Sequence, residues 1–468
     1  MPMQRRLVLR RGLAWALGVM GTPLSGAQPE LFSAADLAHA ALLRDQALLH
    51  DGALELLTSL TQEVGARPAG SPADAKAVAW AQRQCQALGL QQVRAEPLQF
   101  QVWQRGPASA TLLAPERFDL VMAALGNSVG TPEAGITAEL AWYDSFDALK
   151  ADTSDRARGR IVFIDQRTER SRDGAGYGRA VPARFGSAAE AARRGALAVV
   201  IRSIGTGQQR VAHTGAMRYD DDGARIPALA VSVPDADRLA ALHAAPQQGP
   251  LRLQLQVANR LGVDVTSHNV IAEVPGTDLA DEVVLLSAHL DSWDMGEGAA
   301  DNAAGVAIVC SAAGLIAGAG LKPRRTVRVV LFANEENGFD GAHAYSQRYA
   351  AQRHQLVSES DFGAGAIDAL RSRVQASARP AFEAMAGVLA PLGIPLQDNS
   401  GTPGPDAALL MRRHRWPALQ LSQDGSSYFD VHHTAHDTLD RLDTRALPQN
   451  VAAWAVVAWL AAQSPLSF

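Results

Sequence analysis

Imidazole and carboxylate side chains recur in four short stretches of this chain, each at the end of an apolar run or in the loop beyond it. Residues 283–302 read VVLLSAHLDSWDMGEGAADN and bring His289, Asp291 and Asp301 together among glycines. Glu335 and Glu336 follow TVRVVLFAN, Asp361 lies in VSESDFGAG, and His432 and His433 lie in YFDVHHTAHDT. A mixed set of histidine nitrogen and carboxylate oxygen suits zinc and tolerates cobalt or manganese. Two ions ~3.5–4 Å apart need a carboxylate that bridges them. Asp301 falls between the other candidates in sequence and follows Gly298, where the backbone can approach closely. The adjacent Glu335 and Glu336 can divide the work just past a strand, one binding metal and the other acting as general base on an activated water.

Positioning these residues is the task of the surrounding elements. The run at 283–286 is a short buried strand, and open α/β sheets place their chemistry outside the carboxyl ends of such strands. From residue 268 onward, NVIAEVPG, VVLLSAHL and TVRVVLFAN read as strands, with helices predicted at 302–318 and 338–352. The alternation predicts an α/β fold, a three-layer αβα sandwich around a mixed, mostly parallel sheet. Helical periodicity covers residues 34–63, and Ser71 with Pro72 caps a second helix running to about residue 88. A strand is expected at 93–103.

Residues 106–257 change character. Short β-like runs (LAWYD, RIVFID, ALAVVIR, ALAVSV) surround one clear helix at 187–194. They predict a separate β-rich domain inserted into a single catalytic domain made of residues 28–105 and 258–468. No ligand cluster is apparent in the insert, and His213 and the acidic run Asp220–Asp222 are expected in a solvated loop.

At 468 residues, 47% apolar and with a net charge of −5, the chain can bury a large core and lacks the basic face that a nucleic-acid partner would require. MPMQRR, then LAWALGVM, then Ser25-Gly26-Ala27 read as a signal peptide over residues 1–27. The mature protein is therefore expected to be exported and free of the membrane. Cys85 and Cys310 lie in helical patterns and are expected as buried, unpaired thiols.

The strings HLDSWDMGEGAADN, ANEENG, ESD and YFDVHHTAHDT, in this order, resemble the exported two-zinc peptidases of aminopeptidase Y type, and within them the carboxypeptidase Q branch. GRIVFID, AARRGALAVVI and IPALAVSVPDADRLAAL resemble the protease-associated domain. The resemblance implies two Zn2+ per chain, with His289 and Asp361 on one ion, Glu336 and His433 on the other, and Asp301 bridging. Glu335 would be the base and proton donor, and Asp291 would hydrogen-bond His289. The Asp301–Asn302 peptide would be cis, and Asn302 stands where the branch carries a second acid. Asp406 would lie near the site, or serve only as a helix cap. On the residues themselves, Tyr428 could hydrogen-bond substrate or be ordinary core, His432 could line the pocket or pack, and Trp293 is expected as a pocket wall. The implied substrate is a dipeptide or short peptide, hydrolysed as an exopeptidase. An aminopeptidase would use the same ligands, whereas a catalytically silent receptor would have lost some. A homodimer is suggested by the resemblance alone.

Overall fold

The computed structural model describes residues 31–245 and 249–468, so the segment read as a signal peptide lies outside the described residues. A seven-stranded sheet forms the centre. Across it the strands run in the order Gln91–Gln104, Arg260–Val274, Arg325–Phe332, Leu279–His289, His354–Glu359, Ala418–Gln423 and Ile367–Arg373. The four strands from Arg325–Phe332 to Ala418–Gln423 are parallel. The remaining three pairings are antiparallel, so the mostly parallel sheet expected from the rhythm holds only at the centre. The reason at one edge is topological: the chain leaves along Gln91–Gln104 and returns along Arg260–Val274, and an out-and-back pair must be antiparallel.

Alternation along Leu279–His289 sends Val284, Leu286 and Ala288 to one face and Val283 and Leu285 to the other. The first face packs on helices Ala34–Ala47, Gly52–Glu63, Ala304–Gly318 and Leu447–Gln463. The second meets Ala342 and Tyr345 of Asp340–Arg348 and Leu410 of Pro405–His414. With both faces covered, the sheet is the middle of three layers. Ala299–Gly318 is apolar and long enough to cross a membrane, but it is almost wholly buried in this core. Cys85 and Cys310 are buried with free thiols.

Strands Ala108–Ala114 through Arg252–Val257 build a second, eight-stranded sheet with its own apolar clusters. It is carried on the paired ribbon that runs from Gln91↔Glu273 to Gln104↔Arg260. The helix read at 187–194 is the C-terminal part of a longer one, Ala175–Arg193, whose first half is disguised by glycines and by Pro182. Trp293 is a correction to the sequence reading. It belongs to the apolar cluster of the second sheet, edge-on to Trp103 at 6.2 Å, rather than to a pocket wall. Its large apolar surface has more to gain in that cluster than on a wet wall.

Candidate active site

The loop after Leu279–His289 is held from behind by Arg67, a fully buried side chain that the sequence reading missed. Arg67 donates to the carbonyls of Leu290 (2.6 Å), Glu297 (2.7 Å) and Gly298 (3.0 Å). Gly298 has φ +63°, and a Cβ there would come within 2.5 Å of Ser292 Cβ and 2.9 Å of Arg67 Nη1, so only glycine fits. Asp437 secures the next turn, accepting the N–H of Ala300 at 2.6 Å and of Asp301 at 3.1 Å. The Asp301–Asn302 peptide is cis, as the resemblance implies.

Two imidazoles converge on Asp301 from opposite sides. His289 Nε2 lies 3.0 Å from Asp301 Oδ1 and 3.3 Å from Asp361 Oδ1. His433 Nε2 lies 3.1 Å from Asp301 Oδ2 and 3.1 Å from Glu336 Oε2. His432 stacks on His433 with ring centroids 3.5 Å apart, and its Nε2 is 3.5 Å from Asp301 Oδ2. Two overlapping groups could thus hold a metal: His289, Asp301 and Glu336, and Asp301, His432 and His433.

The tautomers follow from the backbone. His289 Nδ1 is 3.1 Å from the Asp291 carbonyl, and His433 Nδ1 is 3.4 Å from the Thr214 carbonyl. A carbonyl only accepts, so in the neutral ring Nδ1 carries the proton and Nε2 presents a lone pair. Each lone pair then faces two carboxylate oxygens, an arrangement that a cation relieves. Glu336 Oε1 and Asp361 Oδ1 have no hydrogen-bond donor, which fits the same need. Without a cation, protons answer it. Burial opposes charge on both rings, but Asp361 and its neighbours raise His289 well above the usual imidazole value, and Glu336 with Asp301 raises His433 to about 9.

Asn334, in the left-handed region at φ +58°, turns the chain out of Arg325–Phe332 so that Glu335 and Glu336 diverge. The Asp291 carboxylate receives both of their N–H groups, Glu335 at 3.1 Å and Glu336 at 3.4 Å, and its Oδ1 is 3.7 Å from His289 Nδ1. Burial, with Asp361, Glu336 and Asp406 adding repulsion, pushes the Glu335 carboxyl well above its ordinary range. Burial and then Asp301 lift Glu336 and Asp437 to about 7. Asp406 is not a helix cap: Gly404 occupies that position, and Asp406 is fully buried with both carboxylate oxygens unpartnered. The neighbouring acid Glu359, lifted to about 8 by burial and Asp361, is one of the charges that hold Asp406 well above its usual value once burial has acted.

Comparison with known proteins gives this cluster its context. The family model described as Peptidase family M28 matches residues 269–458. Carboxypeptidase Q of Homo sapiens is 36% identical over 410 residues, spanning 87% of this chain and 84% of its own. The chain belongs to peptidase family M28. Carboxypeptidase Q of Xenopus laevis is 34% identical over 87% of this chain and 85% of its own. A peptidase M28 precursor from Shewanella amazonensis SB2B superposes with a TM-score of 0.90 at 43% identity, covering 93% and 98% of the two chains. A zinc aminopeptidase from Bacillus subtilis shares the fold, with a TM-score of 0.63 at 17% identity over 89% and 98%. This M28 protein is a metallo-exopeptidase, a hydrolase.

The M28 cluster opens into a cavity of about 1030 Å3 lined by Asp301, Glu335, Glu336, Asp361, Tyr428, His432 and His433. One wall comes from the insert, through Asn127, Tyr177, Arg184 and Met217. Thr214 N–H donates to the His433 carbonyl at 2.9 Å, so the insert holds that histidine from two directions. His213 corrects the sequence reading: it is buried beside His433, and burial lowers its pKa to about 3. Asp220, Asp221 and Asp222 are exposed as expected. Nothing in the local spacing of the insert distinguishes a histidine folded onto a site over 200 residues away from one in a loop.

Proposed function

We propose that this M28 peptidase is an exported two-zinc exopeptidase acting on dipeptides or short peptides. The observation that carries the reading is the division of Asp301, one carboxylate oxygen toward each of two histidine–carboxylate pairs. His289 and Asp361 would hold one ion and His433 and Glu336 the other, with one Asp301 oxygen facing each pair. Bound zinc supplies the positive charge that acidifies water and polarises the scissile carbonyl.

The remaining chemistry belongs to the chain. Glu335, on the cavity wall, takes the proton of the attacking water and returns it to the leaving amine. Asp291 orients the Glu335–Glu336 turn through its two N–H acceptances. Tyr428, whose hydroxyl burial and then Asp301 and Asp361 hold well above its ordinary pKa, stays protonated and can donate to a substrate oxygen. His432, kept neutral by burial and His433, shares that wall. The insert is read as a protease-associated domain on its sequence strings, and residues 1–27 as the export signal.

The test is metal analysis together with a panel of free, N-blocked and C-amidated dipeptides. About two zinc ions per chain are expected, with hydrolysis of free dipeptides abolished by a chelator and restored by zinc. Fewer than one ion per chain, or no cleavage of any dipeptide by zinc-loaded protein, would overturn the proposal.

A further inference from the structure

Four arginines line the cavity: Arg172, Arg184, Arg218 and Arg371. Arg172 pairs with Asp368 and Asp424, Arg371 pairs with Asp398, and Arg218 is exposed to solvent. Arg184 differs from all three. It is 95% buried and has no carboxylate partner among the described residues. The other buried arginines are compensated. Arg202 meets Asp165, Arg325 meets Glu282, Arg328 meets Glu273, and Arg67 is ringed by carbonyls. A buried cation without a counter-ion is costly unless an anion joins it.

The guanidinium is nevertheless held in place. Its Nε donates to the Ala216 carbonyl at 3.2 Å and its Nη1 to the Tyr177 hydroxyl at 2.8 Å. It lies over Gly215, where a Cβ would come within 2.4 Å of Nη1. Both acceptors are neutral, and the remaining three N–H bonds have no acceptor among the described residues. Tyr177 connects Arg184 to the site: its ring stacks on Phe429 at 4.3 Å and stands edge-on to His432 at 5.2 Å. A planar fork, immobilised, unpaired and facing the cavity one ring away from the histidines, is built to receive a carboxylate.

We infer that Arg184, contributed by the insert, binds the free α-carboxylate of the peptide substrate, making this a specificity-determining residue that reads the C-terminus. The inference rests on the exopeptidase reading above and narrows it to carboxypeptidase or dipeptidase action.

The experiment compares Ala-Leu, Ala-Leu-amide and Ala-Glu-amide with zinc-loaded wild type, Arg184→Lys and Arg184→Gln. Wild type is expected to prefer the free acid by about 10–100-fold in kcat/KM, the scale of a charge-assisted hydrogen bond. In Arg184→Gln that ratio collapses toward unity, mainly through a higher KM for the acid, and Arg184→Lys retains part of it. A wild type indifferent to amidation, an equal loss on acid and amide in Arg184→Gln, or a preference that follows the glutamate side chain would overturn it. A second readout needs neither a variant nor turnover: free leucine should raise the Tm of zinc-loaded wild type and leucinamide should not, and equal shifts would refute the assignment. If no peptide is cleaved, the exopeptidase reading fails, while the leucine shift still reports on the carboxylate site.

Discussion

Replacing Glu335 with glutamine separates chemistry from architecture. The Glu335 carboxylate makes no hydrogen bond or ion pair within the described residues; its only tie is the backbone N–H to Asp291 Oδ1. Glutamine is isosteric, so the exchange breaks no intramolecular bond. It also removes an acid that burial and three neighbouring carboxylates hold well above its ordinary pKa, so the metal-free variant should be no less stable than wild type at neutral pH. The whole loss should therefore fall on turnover. Removing a positioned general base costs about 10²–10⁴ in kcat, or roughly 3–5 kcal/mol of transition-state stabilisation. The assay is steady-state hydrolysis of a free dipeptide, with zinc content by atomic absorption and Tm by calorimetry. A kcat within threefold of wild type refutes the proton-transfer role, and loss of zinc would make Glu335 a ligand instead.

Three further outcomes are expected. Arg67→Met strands the carbonyls of Leu290, Glu297 and Gly298, and should cost about 3–5 kcal/mol in urea unfolding together with weaker zinc retention. Gly298→Ala places a methyl against Ser292 and Arg67 at φ +63°, so a lower Tm and reduced zinc stoichiometry are expected while the insert's own core is unaffected; a wild-type zinc titration would contradict the packing. In chelated protein, Glu336 and Asp437 have folded pKa values of about 7 and Glu359 of about 8, against about 4 for ordinary carboxyls. The folded state then binds protons that the unfolded chain releases, so this contribution is complete below pH ~4 and is lost as pH rises through 7–8. His433, raised to about 9, acts in the same sense. The metal-free Tm should fall between pH 5.5 and 8.5, with zinc flattening the slope, and a rise over that interval would be contrary evidence.

How legible was this site in the sequence? His289, Asp301, Glu335, Glu336, Asp361 and His433 were visible because each follows a strand or lies in a loop beside one, and a strand end is written locally in apolar runs. The three-layer sandwich was visible for the same reason. The edges of its sheet were not, because strand direction at an edge depends on the path of an intervening chain, here the 150-odd residues between Gln91–Gln104 and Arg260–Val274. Arg67, Thr214, Tyr177 and Arg184 escaped because they act through contacts between distant segments and carry no spacing signature. Trp293 was misread for a related reason: a residue's neighbours in sequence say little about which lobe's interior will receive it, whereas Asp406 was placed near the site and is buried beside it.

The grip of Thr214 on His433 has a consequence for how this enzyme could be trimmed or set in motion. The His433 imidazole takes its tautomer from a carbonyl on the other lobe, while Trp293 returns the anchorage in the opposite direction. An excised larger lobe would keep His433 against Asp301, Glu336 and His432 but lose the Thr214 carbonyl that fixes its tautomer, and would leave Trp293 without its apolar cluster. The smaller lobe thus helps set the orientation of one site histidine, and swinging it aside would release that constraint.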